Sequence, residues 1–117
     1  MKQQTIFFLV LIMLALGCKD NRPKVKDKPE WVIEESKMVD IIVDLRIVDA
    51  AVYNNTNKPP RDKVKDWAFI MKKHKVSDTL FIKSHDYYAE HPDVAASLYE
   101  QAIDKISEMV AANSEEH

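Results

Sequence analysis

The sequence predicts an all-α domain: a small bundle of three or four helices set behind a leader and an extended tether. Three observations carry that expectation. Apolar residues recur at steps of three and four from residue 34 onward, and strand-type alternation is absent. Helix punctuation falls between the stripes, at Asn54-Asn55-Thr56-Asn57-Lys58-Pro59-Pro60, at Ser77 and at His91-Pro92-Asp93. Removing a 17-residue leader from the 117 residues leaves 100, enough for one small domain with little core to spare.

The leader comes first. Met1-Lys2-Gln3-Gln4-Thr5 precedes eleven apolar residues, 6–16, then Gly17 and Cys18. A basic start, a short apolar run and a small residue form the layout of a secretory signal peptide over residues 1–17. Eleven helical residues reach about 17 Å, against the ~30 Å of a bilayer core, so the run is too short to remain as a span. Cys18 and a flexible tether then occupy residues 18–30. Their sequence from Lys19 onward, Lys-Asp-Asn-Arg-Pro-Lys-Val-Lys-Asp-Lys-Pro-Glu, is almost devoid of apolar residues. The basic side chains offer contact with acidic head groups, but a solvated spacer is the plainer reading.

The helical domain is expected over residues 31–113. Met38, Ile41, Leu45, Val48 and Val52 stripe a helix placed at 34–53, widened by Trp31, Val32, Ile42, Ile47 and Ala51. The Asn-rich, Pro-Pro stretch stops it. A second helix, 61–74, carries Val64, Trp67, Ala68 and Met71 on one face. Phe69 and Ile70 lie elsewhere on its wheel, which predicts burial on more than one side. Lys72, Lys73 and His74 suit the negative end of its dipole. Ser77 caps a third helix at 78–89, with Leu80, Phe81, Ser84, Tyr87 and Tyr88 inward. Pro92 suits a first helical position and Asp93 a positive first turn. Ala95, Leu98, Ala102, Ile106 and Met109 stripe this fourth helix. The polar end is expected to fray, with residues 114–117 as a tail.

Composition excludes several functions. The formal charge of −2 becomes −3 once Lys2 leaves, which does not suggest bulk nucleic-acid binding. The one glycine, Gly17, leaves with the leader. Phosphate-cradling loops and nucleophile elbows depend on glycine, so nucleotide enzymes and elbow-type serine hydrolases are disfavoured. Cys18 is the only cysteine, so neither a disulfide nor a thiolate zinc site is available.

Two resemblances sharpen the address. Leu14-Ala15-Leu16-Gly17-Cys18 resembles a bacterial lipobox, with Ala15 and Leu16 transposed relative to its commonest form. That resemblance implies a diacylglyceryl group on the Cys18 thiol, cleavage before Cys18 and acylation of the new amine. Two or three acyl chains anchor stably where one is marginal. The alternative is an ordinary cleaved signal with Cys18 left as a free thiol. Cys18-Lys19-Asp20 also faintly resembles acidic surface-export tags of Bacteroidota lipoproteins, but Asn21 and Arg22 replace the acidic run. The periplasmic face of the outer membrane is therefore favoured over the cell surface.

The second resemblance spans most of residues 29–110. Pro29-Glu30-Trp31-Val32-Ile33, Met38-Val39-Asp40-Ile41-Ile42-Val43-Asp44-Leu45 and Lys73-His74-Lys75-Val76-Ser77 occur in order. Phe81, Ser84, Tyr87-Tyr88 and Pro92 follow. Together they resemble a family of small Bacteroidota lipoproteins described as domain of unknown function 4296. Arg46 departs from the family, where a histidine is expected. Lys75 departs too, where a glycine often follows the histidine, and this implies a less sharp turn between the second and third helices. The resemblance implies an address and a fold, and no activity, cofactor or catalytic residue.

The candidate sites each have a plainer reading. Asp40 and Asp44 stand one turn apart on one helix face, a spacing open to a calcium ion or an acid/base pair. The plainer reading is a solvated face on which Arg46 and Asp49 pair at i,i+3. Asp44, flanked by the apolar stripe, is also placed to bond a tyrosine hydroxyl or a helix end. Ser84-His85-Asp86 is contiguous, but neighbours on a helix point apart, so it is not read as a triad. His74 reads as a helix-terminal cation. Trp31, Trp67, Phe81, Tyr87, Tyr88 and Tyr99 are a heavy aromatic load, and an exposed pair among them would mark a docking face. Asp78-Thr79-Leu80 resembles a short O-glycosylation acceptor motif at Thr79. Asn54-Asn55-Thr56 fits an N-glycan sequon, without weight in a bacterial lipoprotein.

The expectation is a non-enzymatic, lipid-anchored helical module without cofactor or metal. It meets the membrane through Cys18 and docks on another envelope protein, as an accessory part of an assembly or export complex. The competing class is a small-ligand or metal-binding lipoprotein, less readily a hydrolase, using Asp40 and Asp44.

Overall fold

The computed structural model describes residues 2–15, 21–53 and 62–115, with side chains detailed except at 11–15, 52 and 53. Cys18 and the loop expected at 54–60 lie outside the described residues. The helices in order are α1 (Lys2–Ala15), α2 (Glu35–Tyr53), α3 (Lys63–Lys73), α4 (Asp78–Ala89) and α5 (Pro92–Glu115). No strand occurs among the described residues, and the fold is the expected all-α bundle. On α1 the side chains of residues 2–10 are exposed. No helix among the described residues is long and apolar enough to cross a membrane.

Helix α2 is the central element. Both α3 and α5 pack against it, and α4 packs on α5. Met38, Val39, Ile41, Ile42 and Val43 are all buried. At 100° per residue these five cover rather more than half of the helical wheel, a broader face than a stripe, and exposed Asp40 stands on the side they leave open. The expected face at Met38 and Ile41 is present, and Val39 and Val43 extend it to the opposite side. Helices α2 and α5 run antiparallel: Asp40 meets Lys105 near one end, and Arg46 lies over the Tyr99 ring further along.

The α3–α4 connection corrects one expectation. Lys75 takes φ 55°, the left-handed region that favours glycine. The Lys75 N–H donates to the Lys72 carbonyl, and the Val76 N–H to that of Met71. These two bonds form a Schellman motif, closed by contact between buried Met71 and Val76. The turn is therefore as sharp as a glycine would make it, and Lys75 bears the steric cost. Beyond it, the Ser77 hydroxyl accepts the Leu80 N–H, as the cap expectation required. His91 accepts from the Ala95 N–H, with Pro92 at the first position of α5.

Three further expectations change. Helix α3 buries Ile70 and Met71 and half-buries Trp67, whereas Val64 and Phe69 face solvent. It is an edge helix with one narrow inner face, not a helix buried on several sides. Met109 is half exposed, because α5 has 24 residues to the 19 of α2, and its last turns run past the start of α2. The helix also continues through Ser114 and Glu115, where a frayed tail was expected. The tether segment from residue 21 does not simply lead away. The Arg22 guanidinium donates to the Gln101 side chain, and half-buried Val25 packs against the core.

Candidate functional site

Helix α4 grips the chain as it enters the bundle. Ser84 and Tyr88 stand at i,i+4 and are both buried. The Ile33 N–H donates to Ser84 Oγ at 3.0 Å, and the Tyr88 hydroxyl donates to the Ile33 carbonyl at 2.6 Å. One residue thus has both backbone groups satisfied directly by one helix face. Burial, together with the nearby Glu35 and Glu34 carboxylates and Tyr87, pushes the Tyr88 phenol above its ordinary range, so it stays a donor. Tyr87 meets Trp31 edge to face at 6.0 Å and stacks on His91 at 4.8 Å. His91 Nδ1 carries its proton here, since its partner is the Tyr87 carbonyl. Trp31 remains half exposed, so the Trp31–Tyr87 pair is only partly covered.

The candidate carboxylates turn to different helices. Asp44 Oδ2 accepts from Lys73 Nζ at 2.8 Å and from His74 Nε2 at 2.6 Å, at the C-terminal end of α3. Burial opposes ionisation of Asp44, but the bonds and charges of Lys73 and His74 outweigh it and hold its carboxyl below the usual range. Of the two partners open to Asp44, a tyrosine hydroxyl or a helix end, the helix end is the one it meets. His74 is a terminal donor to α2 as well as a dipole partner. Asp40 instead accepts from Lys105 Nζ at 2.6 Å. Among the described residues no group of three or more His, Cys, Asp or Glu is gathered as a metal site.

Arg46 and Asp49 do not pair with each other. Arg46 places its guanidinium 6.0 Å from the Tyr99 ring centroid. Both residues instead line a groove of about 240 Å³, with Ile42, Leu45, Phe81, Ile82, His85 and Tyr99. Ile42 and Phe81 are buried at its base, Leu45 is half-buried, and Ile82 and Tyr99 are exposed. His85 Nε2 lies 3.2 Å from the Tyr99 hydroxyl. Ser84 and His85 diverge as expected, the one into the core and the other onto this rim. The groove gathers residues from three helices, α2, α4 and α5. Arg46, Asp49, Phe81, His85 and Tyr99 each stand out in the sequence, but for other reasons. Ile42 and Leu45 read as the apolar surface of a helix, and Ile82 as nothing special.

Trp67 is half-buried, its ring 5.3 Å from Phe81, and its Nε1 donates to Asp78 Oδ1 at 3.0 Å. Thr79 is exposed on the first turn of α4.

Residues 29–111 match the family described as Domain of unknown function (DUF4296). The match covers well over half of the chain, and the chain belongs to that family. No curated protein and no solved structure is significantly similar to it.

Proposed function

We propose that this chain is a lipid-anchored, non-enzymatic envelope module that docks on another envelope protein. Cys18 carries the lipid and residues 1–17 are its removed leader. The outer membrane, on its periplasmic side, is the address, and an accessory place in an assembly or export complex is the role.

The observation that carries the docking half is the contrast in how polar and apolar groups are used. Asp40, Asp44, Ser84 and Tyr88 are spent on joining elements to one another. Large apolar groups at Trp31, Ile82 and Tyr99 stay open to solvent. A clamp at Ile33, fifteen residues after Cys18, favours a module held close to its membrane.

Two measurements test this reading. Metabolic palmitate labelling is expected to mark the wild type and to vanish in Cys18→Ala; label surviving that substitution sinks the anchor. Gentle solubilisation with a C-terminal tag is expected to recover one envelope protein in stoichiometric, salt-resistant amounts. Recovery of the lipoprotein alone overturns docking.

A further inference from the structure

The groove between α2, α4 and α5 has the attributes of a side-chain receptor. Its volume of about 240 Å³ falls below the roughly 300–1,000 Å³ of small-molecule pockets. It fits one large side chain better than a whole metabolite. Its base is apolar, at buried Ile42 and Phe81. Its rim holds an arginine backed by an aromatic ring, and Arg and Tyr are residue types that dominate binding energy at interfaces.

Charge decides the chemistry of the occupant. The two acidic residues that join α2 to its neighbours are each matched by an opposite charge: Asp44 has Lys73 and His74, and Asp40 has Lys105. Arg46 has no carboxylate among the described residues, although Asp49 is three positions away on the same helix. A guanidinium held over a ring beside an apolar pocket is set to take a carboxylate in bidentate fashion. Asp49, on the same rim, repels a second carboxylate and takes an N–H or a cation. It therefore gives the site a direction. The apolar surface also continues past the groove: Tyr99 and Ile103 are one turn apart on α5, and both are exposed.

We propose that this groove receives one large apolar side chain of a partner protein, with the carboxylate next to that side chain paired to Arg46. The inference rests on the docking reading above and names the partner's chemistry.

Photocrosslinking in the intact envelope tests it, with the full lipidated chain carrying benzoylphenylalanine at Ile82 or, as a control, at Val64. Val64 is exposed on α3 and lines no part of the groove. The expected result is a crosslink from position 82 to a partner segment with a large apolar residue adjacent to Asp or Glu. Arg46→Glu in the same chain should lower its yield tenfold or more, and Arg46→Lys should lower it less. Circular dichroism of each variant confirms the fold. A segment without that chemistry, a crosslink to a second copy of this chain, or a yield indifferent to Arg46→Glu overturns the proposal. Crosslinks from position 64 alone overturn it while leaving docking intact. Crosslinks from neither position overturn both.

Discussion

The entry clamp and the open groove use the same helix in opposite ways. On one face of α4, Ser84 and Tyr88 seize the Ile33 backbone, and no polar atom is left over. Among the described residues no buried side-chain nitrogen or oxygen lacks a partner. On the neighbouring face, Ile82 and His85 border a cavity, and the Arg46 guanidinium across it has an aromatic ring but, among the described residues, no anion. Groups whose bonds are complete fix the fold. Groups whose bonds are incomplete remain available to a ligand. The two faces should therefore separate under mutation, one changing stability and the other binding.

The largest expected effect is at the clamp. Tyr88→Phe keeps the ring but leaves the buried Ile33 carbonyl without a donor, which costs about 1–3 kcal/mol. For a domain of this size each kcal/mol lowers the midpoint by roughly 4–8 °C, readable by thermal circular dichroism. Ser84→Ala strands the Ile33 N–H in the same way. Because both act on one residue, the double variant should lose less than the sum of the singles. A midpoint unmoved by Tyr88→Phe would show that water reaches Ile33, and the clamp would lose its distinction from the groove.

Next is the ion pair that fastens α3 to α2. Asp44→Asn removes the charge that Lys73 and His74 share, at a cost of about 1–2 kcal/mol near pH 7. The sign of its pH dependence follows from the lowered Asp44 pKa. The stabilisation is fully present above the unfolded carboxylate pKa of about 3.9 and is lost as pH falls through the lower folded value. Denaturant midpoints of wild type and Asp44→Asn should thus converge only in acid, below about pH 4. A constant gap across that range would mean that shape, not charge, does the fastening.

How far the sequence discloses this arrangement differs between the regions. Helix α4 is legible because its signals are local: Ser77 caps it, Pro92 restarts the chain after it, and its stripe names Phe81, Ser84 and Tyr88. The breadth of the buried face of α2 is not legible, because Val39 and Val43 lie off the stripe and are nonetheless buried. Nor is the groove, whose lining comes from three helices and includes an isoleucine that no stripe explains. The partners of Asp44 are separated from it by 29 and 30 positions, so sequence raised a helix end only as one of two choices. The Lys75 turn misled for a chemical reason. The usual mark of a left-handed cap is glycine, and here two hydrogen bonds and the Met71–Val76 contact hold a lysine in that conformation. Lys75→Gly relieves the Cβ clash and should stabilise the bundle by about 0.5–1 kcal/mol, net of glycine's greater freedom when unfolded. A loss of stability would mean that the lysine stem packs more favourably than its backbone suffers.

The smallest effect on stability belongs to the groove, and its smallness is what completes the contrast. Arg46 is exposed, and its guanidinium lies 6.0 Å from the Tyr99 ring, near the limit of a useful cation–π approach. Ile82 is half open to solvent. Arg46→Ala and Ile82→Ser should each leave the folding free energy within about 0.5 kcal/mol of wild type, as exposed positions away from caps and core do. Chemical denaturation of the two variants beside Tyr88→Phe makes the comparison within one experiment. If either groove variant falls as far as the clamp variant, Arg46 or Ile82 is a fold-holding residue, and the surface has no claim to be reserved for a partner. If both stay level while crosslinking from the groove collapses, the retained ion and the uncovered side chain are explained by binding, since the fold draws almost nothing from them.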